Sequence, residues 1–291
     1  MQTRAQHFRL LIVFPLVLVA FIPISFDPAS GSAAHRPGKV DHGADETTVV
    51  KWIGSLQYLN PTLPSFGAIQ IDPGPGYRAP GGAAYYRVSP YDANLAALGL
   101  LSAHASSSQQ IAERWIVWYL SHAGQHGAAP GEIYDYWYLK DGGGETTSPQ
   151  GIGPDRQNDI DAADSAAATF LRCVWADVQA GGRASLAETP DLKSRLEEIA
   201  GVVLSLQQPD GLTWAKRPYH VEYAMDNSEV FLGLRSMARL ETALFKDRAA
   251  SARYEGAAER VRLALLHTLY DPKNHLFAVA RLESGKLQPA K

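Results

Sequence analysis

Only one cysteine, Cys173, and three methionines occur in the 291 residues. A lone cysteine excludes an intrachain disulfide framework and any cysteine-based metal cluster, so the fold must rest on buried apolar surface. Charge is short on both sides, with 27 Lys and Arg against 30 Asp and Glu and no basic block. A surface of that kind does not attract polyanions, and nucleic acid is not expected as a partner. No apolar run reaches the roughly 20 residues that a membrane-spanning helix needs. The longest, Leu10 to Ile24, is broken by Pro15 and Pro23. Gly142-Gly143-Gly144 is not followed by Lys-Ser/Thr at phosphate-loop spacing, and no Gly-x-Ser-x-Gly elbow occurs. His220 adjoins Glu222 without a second His or Cys at ligand spacing. The acidic run 155–164 lacks the glycine and closing glutamate of a calcium loop. Neither a metal nor a cofactor is therefore expected.

What remains is an ordinary globular composition, 46% hydrophobic and 20% charged. Arg4, His7 and Arg9 precede the apolar run, and Ala29-Ser30-Gly31-Ser32-Ala33-Ala34 follows it, with Ser32 and Ala34 at small-x-small positions. That order is the pattern of a secretory signal peptide over residues 1–34. A polar lead-in over 35–45 and one domain over 46–291 complete the expected organisation. The expected location is secreted, periplasmic or cell-surface; membrane association would follow only if the first segment stayed uncleaved.

From Val49 onward a helical period recurs. Val49, Trp52, Ile53, Leu56 and Leu59 share one face, and Leu95, Leu98 and Leu101 point inward from a helix over Pro90 to Ala103. Ile111, Trp115, Trp118 and Tyr119 mark a third helix over 108–122. Further helices are expected over 159–178, 191–207, 226–244 and 249–269. Long Gly/Pro/aromatic loops alternate with short polar links. The loops are Gly67 to Tyr86, Gly131 to Asp155, Gly211 to Tyr223, and Leu276 onward with a Ser284-Gly285 turn, and each reads as a small hairpin. The even helices share a start: Asp92-x6-Gly99-Leu100, Asp161-x6-Ala168 and Asp226-x6-Gly233-Leu234, with aspartates 69 and 65 residues apart. This is an internal repeat of helix, long loop, helix.

The repeat resembles the six-hairpin glycosidase superfamily, all-α (α/α)6 toroids with even helices inside and odd helices outside. The likeness covers about residues 46–291. It is carried by the architecture and by the strings Gly131-Glu132-Ile133-Tyr134-Asp135-Tyr136-Trp137-Tyr138, Asp159-Ile160-Asp161-Ala162-Ala163-Asp164-Ser165, Asp210-Gly211-Leu212-Thr213-Trp214 and Met225-Asp226-Asn227-Ser228-Glu229. Six hairpins require twelve helices and seven are legible. The expectation is therefore a fragment, a ring completed by self-association, or an open remnant.

The resemblance implies that long loops and inner-helix starts face one cavity, and acids and aromatics collect in those segments here. Glycoside hydrolysis needs one protonated carboxyl for the leaving oxygen and a second carboxylate to activate water or attack. Asp161 or Asp164 is expected in one role, and Asp135 or Asp226 in the other. Trp137, Tyr134 and Trp214 are expected to bind sugar rings, with Glu132 and Glu229 beside them. A purely structural reading stands alongside. Ser89-Pro90-Tyr91-Asp92 and Asn158-Asp159-Ile160-Asp161 have the form of helix caps, and Asp226 with Glu229 fits a capping box. Asp135 has no helix to cap. The expected function is hydrolysis of a poly- or oligosaccharide. The alternatives are a non-catalytic glycan-binding protein, or a uronic-acid lyase or epimerase in which Lys216 and Arg217 would neutralise the substrate carboxylate.

Overall fold

The computed structural model describes residues 42–182, 186 and 189–290, so the expected signal segment lies outside the described residues. All seven expected helices are present: α1 His42–Ser55, α2 Pro90–Ser102, α3 Ser106–His122, α4 Ala163–Gln179, α5 Leu192–Leu206, α6 Ala224–Leu240 and α7 Arg248–Ala264. Helix α1 begins inside the stretch expected as a loose lead-in, an error at the least legible part of any helix, its end. Helices α6 and α7 each run on into a π-helical turn, Glu241–Phe245 and Leu265–Leu269. None of the described helices is long and apolar enough to cross a membrane.

The even helices pack side by side, α2 on α4 and α4 on α6, and each is backed by the odd helix that follows it. This is an inner row and an outer row of helical hairpins. The inner row is built from small residues, because two helices that both pack on further layers need close backbones. On α2 the buried face is Ala93, Asn94, Ala97, Leu100 and Leu101, while Leu95 and Leu98 of the expected inward set are only half-buried. A Cβ added at Gly233 of α6 would stand 2.5 Å from the Ala168 carbonyl oxygen of α4. Two of the three small residues of the aspartate repeat, Ala168 and Gly233, thus meet between neighbouring inner helices, while Gly99 is exposed with nothing within 4 Å of an added Cβ. Gly233→Ala is expected to cost about 1–3 kcal/mol, read as a lower urea midpoint at unchanged slope.

Outer helices meet through one recurring joint. Gly67, Gly131 and Gly211 open three of the four long loops, all at positive φ (95°, 78° and 109°). An added Cβ at each would lie 2.4, 2.3 and 2.5 Å from the carbonyl oxygen of Arg114, Glu198 and Arg260, one on each of the next outer helices α3, α5 and α7. Side chains repeat the motif. Gln57 Nε2 donates to the carbonyls of Gly67 and Ile111, and Arg114 donates to Gln57 Oε1. Gln207 likewise donates to Gly211 and Ala257, and Arg260 donates to Gln207 Oε1.

The loops form the expected small hairpins, β-paired within themselves, and strands of neighbouring loops pair as well. Strand β1 (Tyr77–Arg78) pairs with β2 (Ala84–Val88), and β2 then pairs antiparallel with β3 (Tyr136–Tyr138) of the next loop, with Arg87 opposite Trp137. Strand β4 (Glu222–Tyr223) joins β7 (Ala280–Arg281), which pairs with β8 (Leu287–Gln288) around Gly285; β5 (Tyr270–Asp271) pairs with β6 (Leu276–Phe277). Arg281 of β7 bonds Glu222 and Asp210, tying the last hairpin to the loop after α5.

The core centres on α3. Trp115 stacks on Trp118, and Tyr119 stacks on Phe170 of α4 at 3.8 Å. Cys173 is buried in α4 as expected. On α1 only Ile53 and Leu56 of the expected face are buried; Val49, Trp52 and Leu59 are more than half exposed. The loop carrying β3 is pinned by Glu145, whose carboxylate takes Tyr138 Oη–H at 2.9 Å and meets Nε2 of His122 and of His126, each at 3.2 Å. Burial alone would raise this carboxyl, but the hydrogen bonds and charge of His122, with those of Tyr138 and His126, outweigh it and hold it at about 2. Its folded value lies below the unfolded one, so its stabilisation is present above about 4.5 and is lost as pH falls toward 2. Glu145→Gln is expected to cost about 1–3 kcal/mol at pH 7, with the gap to the unsubstituted protein closing in acid urea titrations.

Candidate active site

The starts of the three inner helices converge. Tyr91, in the first turn of α2, donates its hydroxyl to Glu229 Oε1 of α6 at 3.0 Å, and Ser165, in the first turn of α4, donates to Oε2 of the same carboxylate. Around this junction lie Asp226 and Glu229 from α6, Asp164 from α4, Asp161 just ahead of α4, and Asp92 in the first turn of α2.

Two of the capping readings fail in the structure, and that sharpens the site. Helix α4 starts at Ala163 with Ala162 at the cap position, and no side chain caps it. The segment 158–162 is not helical because its main chain is engaged elsewhere. The Asp159 carbonyl accepts the Asp135 N–H at 2.8 Å, Lys216 Nζ donates to the Ile160 carbonyl at 2.5 Å, and Ala163 N–H reaches the Ala215 carbonyl at 2.7 Å. Asp161 therefore caps nothing, does not share a helix face with Asp164, and is exposed. Its carboxyl is raised by burial of its surroundings, opposed by Arg87 and assisted by Asp92. Helix α6 starts at Ala224, with Tyr223 at the cap and no side-chain cap, so the Asp226–Glu229 capping box does not form. Ser89 and Pro90 do cap α2 as expected, Ser89 Oγ accepting the Asp92 N–H.

The two remaining acids are enclosed. Asp164 is fully buried, accepting the Ser165 N–H at 2.8 Å and facing Thr213 Oγ at 2.6 Å. Asp226 is 4% exposed, and no cation among the described residues pairs with it. Burial, then the charges of Glu229 and Asp161, push Asp226 up to about 7. Glu229 is also raised by burial, against the donors Ser165 and Tyr91.

Most of the other expected site residues have partners of their own, and among them Asp135 stands within electrostatic reach of Asp161. Asp135 is buried against Arg87, whose Nε donates to it at 2.7 Å. Burial pushes the Asp135 carboxyl up to about 7 against the charge and hydrogen bond of Arg87, and Asp135 in turn outweighs burial in holding Arg87 charged, so the two are paired between β2 and the strand-β3 loop. Trp137 is 1% exposed, its ring covered by Tyr77 and by the Arg156 guanidinium at 4.9 Å, and it offers no open face. Glu132 is paired with Arg217. Tyr134 is half-buried, and half-buried Trp214 stacks on His220 at 3.8 Å.

Sequence reasoning gave no role to Arg87, Tyr91, Ser165, Thr213 or Asn227, nor to the pair Tyr219 and Tyr223. Their hydroxyls meet at 3.0 Å, and Tyr223 is raised by burial, then by Tyr219, and further by the charges of Asp226 and Asp161. Tyr91, bonded to Glu229, and Tyr223, within reach of the charges of Asp226 and Asp161, are aromatics beside the acids. The signal available was the placement of Tyr219 and Tyr223 just ahead of the Asp226 helix.

No family model and no curated protein sequence matches the chain. Solved structures do. An unsaturated glucuronyl hydrolase from Bacillus sp. GL1, described as responsible for the degradation of glycosaminoglycan, is similar at TM-score 0.58 and 14% identity over 86% of this chain and 64% of that one. A UGL variant with an aspartate-to-asparagine substitution, with dGlcA-Glc-Rha-Glc, gives 0.55 and 14% over 84% and 63%. A sugar epimerase from a ruminal bacterium gives 0.52 and 8% over 83% and 64%. The chain thus spans a little under two thirds of the length of these proteins. The likeness is one of fold: repeated helical hairpins in an inner and an outer row, as in an (α/α) toroid.

Proposed function

We propose that the chain is a carbohydrate-active enzyme that hydrolyses a glycosidic bond in a poly- or oligosaccharide, with Asp226 as proton donor and Asp161 as the carboxylate that activates water. The observation that carries this reading is the pairing of unlike acids at one junction: Asp226, enclosed with no cation among the described residues paired to it and near neutrality, and Asp161, exposed and free of any capping duty. One acid kept protonated beside one kept available is what general acid/base hydrolysis requires. The shared fold with a glucuronyl hydrolase and a sugar epimerase supports a sugar substrate. Tyr219 and Tyr223 supply ring faces at the same place.

Hydrolysis is favoured over a lyase or epimerase acting on uronic acids because the cations expected to hold a substrate carboxylate are engaged. Lys216 is held by Asp159 and the Ile160 carbonyl, and Arg217 by Glu132. The test is incubation with neutral and uronate-containing oligosaccharides, read by mass spectrometry. Products heavier by one water support hydrolysis. An ultraviolet-absorbing unsaturated product without water addition points to a lyase, an isomer of unchanged mass to an epimerase, and binding without conversion to a glycan-binding protein. The N-terminal sequence pattern supports action outside the cytoplasm, and N-terminal sequencing of exported protein beginning near residue 35 would bear that out.

A further inference from the structure

Hydrogen-bond accounting around Asp164 comes out one proton short if its carboxyl is ionised. Thr213 Oγ lies 2.6 Å from Asp164 Oδ2 and 3.2 Å from Asn227 Oδ1, two acceptors for a single hydroxyl hydrogen. The Asn227 amide orientation is fixed, because its Nδ2 donates to the carbonyls of Tyr223 at 3.0 Å and Thr213 at 3.3 Å. Its Oδ1 is therefore the acceptor, and it also takes the Thr213 N–H at 2.8 Å. A hydrogen on Asp164 Oδ2 completes the chain: Asp164 donates to Thr213 Oγ, and the Thr213 hydroxyl donates to Asn227 Oδ1. The other oxygen, Oδ1, accepts the Ser165 N–H.

We infer that Asp164 is carried as a neutral carboxylic acid and is a positioning residue, its proton bonding Thr213 and, through Asn227, fixing the first turn of α6 that bears Asp226. The surroundings agree. Asp164 is fully buried, and no cation among the described residues pairs with it. Asp226 and Glu229 face it from α6; Asp161 precedes its own helix, Tyr91 reaches Glu229 from α2, Tyr223 heads α6, and Arg172 acts on Glu229 from α4. Burial, then the charge of Asp226, push Asp164 well above the usual carboxylate range, with Thr213 and the Ser165 N–H pulling the other way. A neutral Asp164 keeps the junction from holding another negative charge next to Asp226.

This deepens the proposed acid/base reading, but its test does not depend on turnover. Infrared spectra of protein with 13C-labelled aspartate carboxyls, taken from pH 5 to pH 9, should retain the C=O stretch of a protonated carboxylic acid at pH 8. The band should be missing in Asp164→Asn, whose amide hydrogen replaces the acid proton and keeps the thermal midpoint near that of the unsubstituted chain. Asp226→Asn removes a neighbouring negative charge and should move loss of the band down by about one pH unit or more. A spectrum at pH 8 without the band, or with the band intact in Asp164→Asn, overturns the inference. If Asp164→Asn does not fold, Thr213→Val supplies the decision: the band should shift in frequency when its hydroxyl acceptor is removed, and an unmoved band sinks the idea. Failure of every sugar assay would instead remove the hydrolase reading and leave the band in place.

Discussion

Asp226→Asn is expected to lower turnover of a sugar substrate by roughly 10²–10⁴-fold, the usual contribution of a positioned proton donor, and at the same time to stabilise the fold at alkaline pH. Both effects have one origin. Burial and the charges of Glu229 and Asp161 hold the Asp226 carboxyl at about 7, against 3.8 when unperturbed. A donor must carry its proton, so kcat/KM of the unsubstituted protein should fall as pH rises through about 7. For stability, the folded chain keeps a proton that the unfolded chain gives up above 3.8. The contribution is then whole below that value and is lost as pH climbs through 7. An asparagine carries no charge to bury, so the variant should exceed the unsubstituted protein by on the order of 1–3 kcal/mol at pH 8 and match it below pH 4. Urea unfolding at the two pH values checks this. A variant that loses activity and also loses stability at pH 8 would mean Asp226 is a structural acid.

The largest loss of stability is expected at Gly131. At φ 78°, and with a new Cβ only 2.3 Å from the Glu198 carbonyl oxygen, alanine there adds backbone strain to a steric conflict with main chain that cannot rotate away. Gly131→Ala should cost about 3–5 kcal/mol, combining the penalty for left-handed backbone with that for overpacking. Gly82→Ala is the internal control: φ is 87° but nothing lies within 4 Å of the added atom. It should cost only about 1–2 kcal/mol. Equal costs at the two positions would show that the contact with α5 is not tight.

Much of this frame was legible because it is local. Ile111, Trp115, Trp118 and Tyr119 recur at helical spacing and are all buried. The glycines that open the long loops coincide with the outer-helix joints. Where the reading failed, a distant segment decided. Asn158-Asp159-Ile160-Asp161 carries a sound cap signal, yet bonds from its carbonyls to Asp135 and Lys216, and from Ala163 to Ala215, hold it out of the helix. Val49 and Trp52 have the period of a buried face but remain open, since a period says which residues share a side of a helix and not what covers it. Strand pairing between loops some 50 residues apart, Arg87 with Trp137, has no local trace either. Asp161 and Asp164 look alike in sequence; the fold leaves one open and seals the other behind Thr213.

The joint between outer helices also bears on how such a protein can change over time. Its receiving half is a peptide oxygen, which every amino acid supplies, and the three positions that offer it here are Arg114, Glu198 and Arg260, of both charges. Only the glycine is demanding. A wall assembled this way lets nearly every surface side chain drift while the spacing and tilt of the hairpins are inherited intact. Shared architecture alongside identities of 8–14% is the outcome such a construction permits.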